Sequence, residues 1–197
     1  MDIPDPSRPA APARDRLLAA AAELFYAHGI AATGIDTITR RAGVAKKSLY
    51  NNFASKSDLV AAYVAARHGE WLGLHAARAA EAVTPRARIL AVFDAYRDHA
   101  EMAYAHGFRG CGLLNAAAEL PVGAPGRAAV RAHKAEVEAL LAAEFARLLP
   151  DDPGRAAALA GQSLMLLEGA ITLAGLEGGS ARILAARAIT EDLLERL

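Results

Sequence analysis

From Leu17 to Phe53 the apolar residues recur at helical spacing, and glycine interrupts the pattern twice. Leu17, Leu18, Ala21, Leu24 and Phe25 form a first stripe, which Gly29 stops. Thr33-Gly34-Ile35-Asp36 has the capping-box form, a hydroxyl followed three residues later by a carboxylate, and predicts a second helix start. Ile35, Ile38 and Ala42 then share one face, and Gly43 ends the segment because a left-handed backbone costs glycine little. A third short helix, from about Ala45 to Phe53, turns Ala45, Leu49 and Phe53 inward. Three short helices with a tight glycine turn between the second and third constrain the chain to a helix-turn-helix layout.

The third helix is the informative one. With Leu49 and Phe53 facing in, the 100° step sets Lys47, Ser48, Tyr50 and Asn51 outward, with Lys46 and Asn52 on the flanks. That face offers cations, a hydroxyl, a phenol and amides, and no carboxylate. Such groups hydrogen-bond base edges and phosphates in a major groove. Between Thr33 and Lys56 the basic residues are Arg40, Arg41, Lys46, Lys47 and Lys56, against the single acid Asp36. The whole chain of 197 residues has a formal net charge of zero, so this local excess is the footprint expected of a nucleic-acid face.

The run from Thr33 to Lys56 resembles the DNA-binding signature of the TetR/AcrR-type family of one-component transcriptional regulators. Its most specific parts are Ala42-Gly43-Val44, Leu49-Tyr50, and Phe53 with Lys56 three residues on; Ala22-Glu23-Leu24-Phe25 and His28-Gly29 resemble the family's first helix. The resemblance covers roughly Arg14 to Val64. It implies that Thr33 caps the second helix and touches a phosphate, and that Lys46, Lys47 and Ser48 reach bases. It gives Tyr50 and Asn52 to phosphates, Asn51 to either, and Lys56 to a backbone phosphate at the start of a fourth helix. The chain departs from the pattern at Gly34, Thr39 and Asn51-Asn52. The partners implied are double-stranded operator DNA, a second copy of the chain and a small-molecule effector.

The rest of the chain reads as a helical body. Ser55 is placed to cap a helix carrying Leu59, Val60, Tyr63 and Val64 toward Ala80. Pro85 opens a helix with Ile89, Phe93 and Tyr96 on one side. A break at 107–112 is followed by a short helix, Leu113 to Glu119, and then by a long segment with Val130, Val137, Leu141, Phe145 and Leu148. After the turn at 150–154, Ala156 to Gly175 is apolar nearly all round, so a partner subunit is the expected cover. A last helix carries Ile183, Ile189, Leu193 and Leu197. The expected fold is all-α, with about nine helices and no strand. The expected organisation is an arm at 1–12, a helix-turn-helix domain at 13–58, and an effector-binding and dimerisation domain at 59–197. The arm reads as a passive tail or as a carrier for Arg8, which with Arg14 would reach toward a DNA backbone.

The resemblance implies that the last two long helices pair with those of a second copy. The seam candidates are Leu164, Leu167, Ile171, Ile189 and Leu193. Gly161, Ala170, Ala174 and Gly175 read either as permitting close helix approach or as internal core. Effector-pocket candidates mix apolar walls with polar points: Trp71, His75, Phe93, Tyr96 and Met102, then Phe108, Asn115, Met165 and Glu168, with Tyr104 and Leu114 beside them. Glu168 interrupts the most apolar helix, so it must be paired, exposed at an interface edge, or liganding.

Other chemistry has little support. No Ser-His-Asp set, phosphate loop or paired-acid motif stands in the sequence, and no cofactor is expected. His68 and His75, like His99 and His106, are seven apart without clustered carboxylates, so no metal site is expected. The one cysteine, Cys111, excludes an intrachain disulfide and fits a reducing cytoplasm. A contrasting reading is a small helical enzyme using Cys111 with a nearby histidine. No charge-free apolar run reaches a bilayer's thickness, so no membrane partner is expected.

Overall fold

Punctuation by capping residues sets the elements. The computed structural model describes residues 12–197, so the expected arm lies outside the described residues except for Pro12. Among the described residues there are nine helices and no strand. The helices are α1 (Ala13–His28), α2 (Ile35–Ala42), α3 (Lys46–Asn52), α4 (Lys56–Glu81), α5 (Pro85–Ala100), α6 (Gly112–Glu119), α7 (Pro125–Leu148), α8 (Pro153–Glu177) and α9 (Ala181–Glu195). Proline stands in the first turn of α5, α7 and α8, where its missing N–H costs nothing. The Thr84 and Asp152 side chains cap α5 and α8, and Ser55 accepts from the Asp58 amide at the start of α4.

The chain divides into two compact units, one ending at Tyr63 and one beginning at Val64, so the boundary falls inside α4. In the first unit, α1 packs on α2 and α3. Leu17, Ile38, Leu49 and Leu59 are fully buried, and the Phe25 and Tyr63 rings meet edge-on at 5.5 Å. In the second unit α5 packs on α7 and α9, α6 on α7, and α8 on both α7 and α9. Phe93, Phe145, Leu167, Ile171 and Ile183 fill this core.

α8 meets the length and composition of a bilayer-spanning helix, with a mean hydropathy of 1.4 over its most apolar window. The expectation from charge-free runs missed this, because Glu168 interrupts the run without removing the apolar average. Two of its residues also correct the expected seam. Leu167 and Ile171 turn into the core of their own chain, so they are not available to a partner. Gly175 serves the chain itself as well: a Cβ there would stand 2.6 Å from the Gly110 amide nitrogen, so its smallness admits the loop before α6.

Candidate nucleic-acid interface

The turn between α2 and α3 is fixed from both sides. Gly43 adopts φ 62° and ψ 39°, the left-handed conformation expected of it. Its amide donates to the Arg40 carbonyl at 3.2 Å, and the Val44 amide to the Thr39 carbonyl at 3.1 Å. Arg16 of α1 supplies what the backbone cannot: its guanidinium donates to the carbonyls of Ala42 (3.1 Å) and Gly43 (2.5 Å). These are the orphan acceptors of a helix end. The apolar pattern gave Arg16 no role, and nothing short of the folded geometry brings it to that turn.

Thr33 corrects the expected capping box. Gly34, not Thr33, is the cap residue of α2, and no side chain caps that helix. Thr33 is buried; its hydroxyl donates to the Gly29 carbonyl at 2.6 Å and lies 3.3 Å from that of Leu24, and its amide donates to Ile30. It ties the loop to the end of α1 and has no group to offer a phosphate. Asp36, freed from capping, pairs instead with Lys46 at 2.9 Å. That contact, chiefly its hydrogen bond, raises the Lys46 pKa.

α3 presents the remaining set. Leu49 and Phe53 are buried beneath it, while Lys46, Lys47, Tyr50 and Asn51 are exposed and Ser48 is half-buried. Tyr50 is 52% exposed. The Asn52 amide donates back to the Ser48 carbonyl at 2.7 Å, which leaves its oxygen for a partner. The Lys56 ammonium donates to the Ile30 carbonyl at 2.6 Å, so it braces the loop after α1 from the start of α4. Arg41 is paired with Glu23, whereas Arg40 and Lys47 have no ion pair among the described residues. Arg14 lies over the Phe53 ring at 5.3 Å. The outcome is a short helix held by two buried side chains, with donors on its open face and no carboxylate among its own residues. It can read base edges and grip phosphates.

The second unit gathers polar groups inward. A small cavity is lined by Arg67, Trp71, Tyr96, His99, Cys111, Gly112, Leu113 and His133. Of the sequence candidates only Trp71 and Tyr96 line it. Phe93 is deep core and Met102 is exposed on the segment after α5. Phe108 is buried against His99, and the half-buried Asn115 amide donates to the Arg109 carbonyl at 3.0 Å. Leu113 lines the cavity where Leu114 was the candidate, a shift of one residue. Met165 is a correction: it is 69% exposed and lies in a surface groove with Leu173 and Ile189. Leu164 and Leu193 are half-buried, and Ile189 is exposed.

Glu168 is paired. The Lys134 ammonium lies 2.6 Å from its carboxylate, 3.2 Å from the Tyr96 hydroxyl and 3.6 Å from the Cys111 sulfur. Burial opposes the charge on Lys134, but Cys111, Tyr96 and Glu168 outweigh it and raise its pKa. Burial also drives the Tyr96 pKa up. His133 meets His68 at 2.9 Å; burial, with Lys134 nearby, takes its pKa down to about 3. His99 falls to about 4 for the same first reason. Lys134 and His133 were not among the sequence candidates, yet a signal existed. Val130, Lys134, Val137, Leu141 and Phe145 share one helical stripe, and a lysine on a core stripe needs a buried partner.

The fold and this interface define a helix-turn-helix, DNA-binding transcriptional regulator. Residues 17–63 match the family described as bacterial regulatory proteins, tetR family. The chain is 30% identical to a TetR-family transcriptional regulator from Streptomyces coelicolor, with a TM-score of 0.81 over 91% of this chain and 94% of that one. A TetR transcriptional regulator from Chloroflexus aurantiacus gives 27% identity and a TM-score of 0.77, covering 93% of this chain and 94% of that one. The HTH-type transcriptional activator FasR of Mycolicibacterium smegmatis is 40% identical over 89 residues, 45% of this chain and 40% of that relative's length. The chain belongs to the TetR family.

Proposed function

We propose that the chain is an operator-specific regulator that works as a homodimer, represses, and is released by a small organic effector. The observation that carries DNA reading is the open face of α3: Lys47, Tyr50 and Asn51 stand exposed on a helix anchored by Leu49 and Phe53. Lys46, Lys47 and Ser48 reach bases, Tyr50 and Asn52 set the register on phosphates, and Asn51 serves either purpose. Lys56 holds a backbone phosphate while bracing the Ile30 carbonyl. Residues 13–58 act as the DNA-binding domain and 59–197 as the effector-binding and dimerisation domain. Binding its operator places the protein in the cytoplasm.

A homodimer is supported by unpartnered apolar surface. Met165, Leu173 and Leu176 on α8, and Leu184 and Ile189 on α9, are all exposed. Such a patch marks an association surface. A single helix-turn-helix reads few base pairs, whereas a dimer spaces two of them about 34–36 Å apart. The effector site is the ring-lined cavity beside Trp71 and Tyr96. The effector acts by binding better to the state that fits DNA poorly. An activating role has one observation in its favour: the FasR relative is an HTH-type transcriptional activator.

Gel-shift titration on the gene's own upstream DNA tests this function. Salt-sensitive, sequence-specific binding is expected, and no binding at low salt would sink it. Lys47→Ala should relax site preference at a cost of about 1–3 kcal/mol, whereas Lys56→Ala should weaken all sequences alike and lower the salt slope by about 1. Equal losses with unchanged preference would reverse the base and phosphate assignments.

A further inference from the structure

The cavity beside Trp71 encloses about 20 Å³, room for little more than a water molecule. A separate, open groove of about 370 Å³ lies between α4, α5 and α7, lined by His75, Arg88, Leu140 and Glu144 among others. The two are joined through one stacked pair. His75 lines the groove, Trp71 lines the cavity, and their rings lie 5.3 Å apart with planes within 9°. They are one helical turn apart on α4, so a rotamer change of His75 alone would bare the Trp71 ring to the groove without moving the backbone.

The chemistry of the walls selects what could enter. Trp71 is 3% exposed, and its indole N–H is buried with no hydrogen-bond partner. A buried donor in that state is costly, and an incoming acceptor would relieve it. The cations near the cavity are already matched by anions: Arg67 with Glu70, and Lys134 with Glu168. A ligand with net charge would therefore shed its hydration without gaining a counter-charge. Trp71, Tyr96, His99 and His133 make the walls ring-faced, with Trp71 5.1 Å from the Tyr96 ring and 5.3 Å from that of His133.

We propose that the effector is a small, flat, uncharged aromatic compound carrying a hydrogen-bond acceptor, which enters past the Trp71–His75 stack and places its acceptor on the Trp71 indole N–H. This rests on the reading of the body as an effector domain and narrows it to one ligand class and one entry route.

Three probes of similar size test it by calorimetry on the full-length protein: acetophenone, ethylbenzene and benzoate. Acetophenone should bind about tenfold or more tightly than either, because ethylbenzene lacks the acceptor and benzoate carries the charge. Trp71→Phe should remove the preference for acetophenone over ethylbenzene. Trp71 is also the chain's one tryptophan, so its emission follows binding directly. In stopped flow, His75→Ala should speed acetophenone association roughly fivefold or more by opening the gate. Ethylbenzene matching acetophenone in the unmodified protein, benzoate binding best, or no saturable binding by any of the three overturns the proposal and leaves the effector reading to the DNA assay. An unchanged association rate in His75→Ala overturns the entry route. The expected selectivity without any release of DNA keeps the site and removes the effector reading instead.

Discussion

Two lysine–carboxylate pairs divide this molecule. Lys46 and Asp36 meet at 2.9 Å on the first unit, with side chains 55% and 70% exposed. Lys134 and Glu168 meet at 2.6 Å in the second, with 14% and 23% exposed. The pairs look alike in sequence and differ in surroundings. Water and salt screen the first, so it adds little to stability and serves mainly to set the local field. The second is held where an unmatched charge is expensive. The first unit turns its polar groups outward toward a partner, and the second turns them inward around a cavity.

The largest expected effect lies on the buried pair. Lys134→Met should cost about 3–5 kcal/mol by leaving the Glu168 carboxylate uncompensated, read as a shift in the urea midpoint of Trp71 emission. Adding Glu168→Leu to it should recover most of that loss. A single variant as mild as Asp36→Ala would erase the contrast between the two units.

Glycine substitutions sharpen the comparison with opposite signs. A Cβ on Gly175 would meet the Gly110 nitrogen at 2.6 Å, the Gly110 Cα at 2.7 Å and the Arg109 carbonyl carbon at 2.8 Å. Backbone atoms cannot rotate aside, so Gly175→Ala should destabilise by about 1–3 kcal/mol. Gly34 has φ −81°, no neighbour within 4 Å, and caps α2 without a side chain. Gly34→Ser should therefore stabilise by about a few tenths of a kcal/mol. Thermal unfolding of both variants decides the signs.

The same contrast explains what was legible in the sequence. α3 is short, anchored by two apolar residues, and its outward face follows from a 100° step alone. The helix start at Pro85, and the left-handed turn at Gly43, follow from local chemistry. Thr33 misled because a hydroxyl three residues before a carboxylate is also what a loop-tying threonine looks like; its partners at Leu24 and Gly29 are set by tertiary contact. In the body the same limit is general. Which side of α8 holds Leu167 and which holds Met165 depends on where α7 and α9 lie, and a helix apolar all round carries no stripe to say so.

Acid should act on the body first. The unfolded chain protonates histidine near pH 6.5, whereas burial holds folded His99 to about 4 and His133 to about 3. Between those limits the unfolded state binds more protons, so stability is full above pH 6.5 and falls as pH drops toward 4 and then 3. The only histidine of the first unit among the described residues, His28, is exposed. From pH 7 to pH 5 the loss should be about 2 kcal/mol from each of the two imidazoles, about 4 kcal/mol together. Hydrogen exchange should place it in α5 and α7 rather than in α2 and α3. Equal loss in both units would mean that the buried imidazoles are not its source.

The smallest expected effect is the most diagnostic, because stability and affinity should move apart. Asp36 is the one acid between Thr33 and Lys56, and it holds the Lys46 ammonium by hydrogen bond and charge. Both side chains are solvated, so Asp36→Ala should leave the unfolding midpoint unchanged. Against DNA the same substitution removes a negative charge that repels phosphates and releases a cation to meet them. Affinity should rise by a factor of about two to five at low salt, and the gain should shrink as salt is added. If affinity falls instead, the pair orients Lys46 for its contact rather than restraining it.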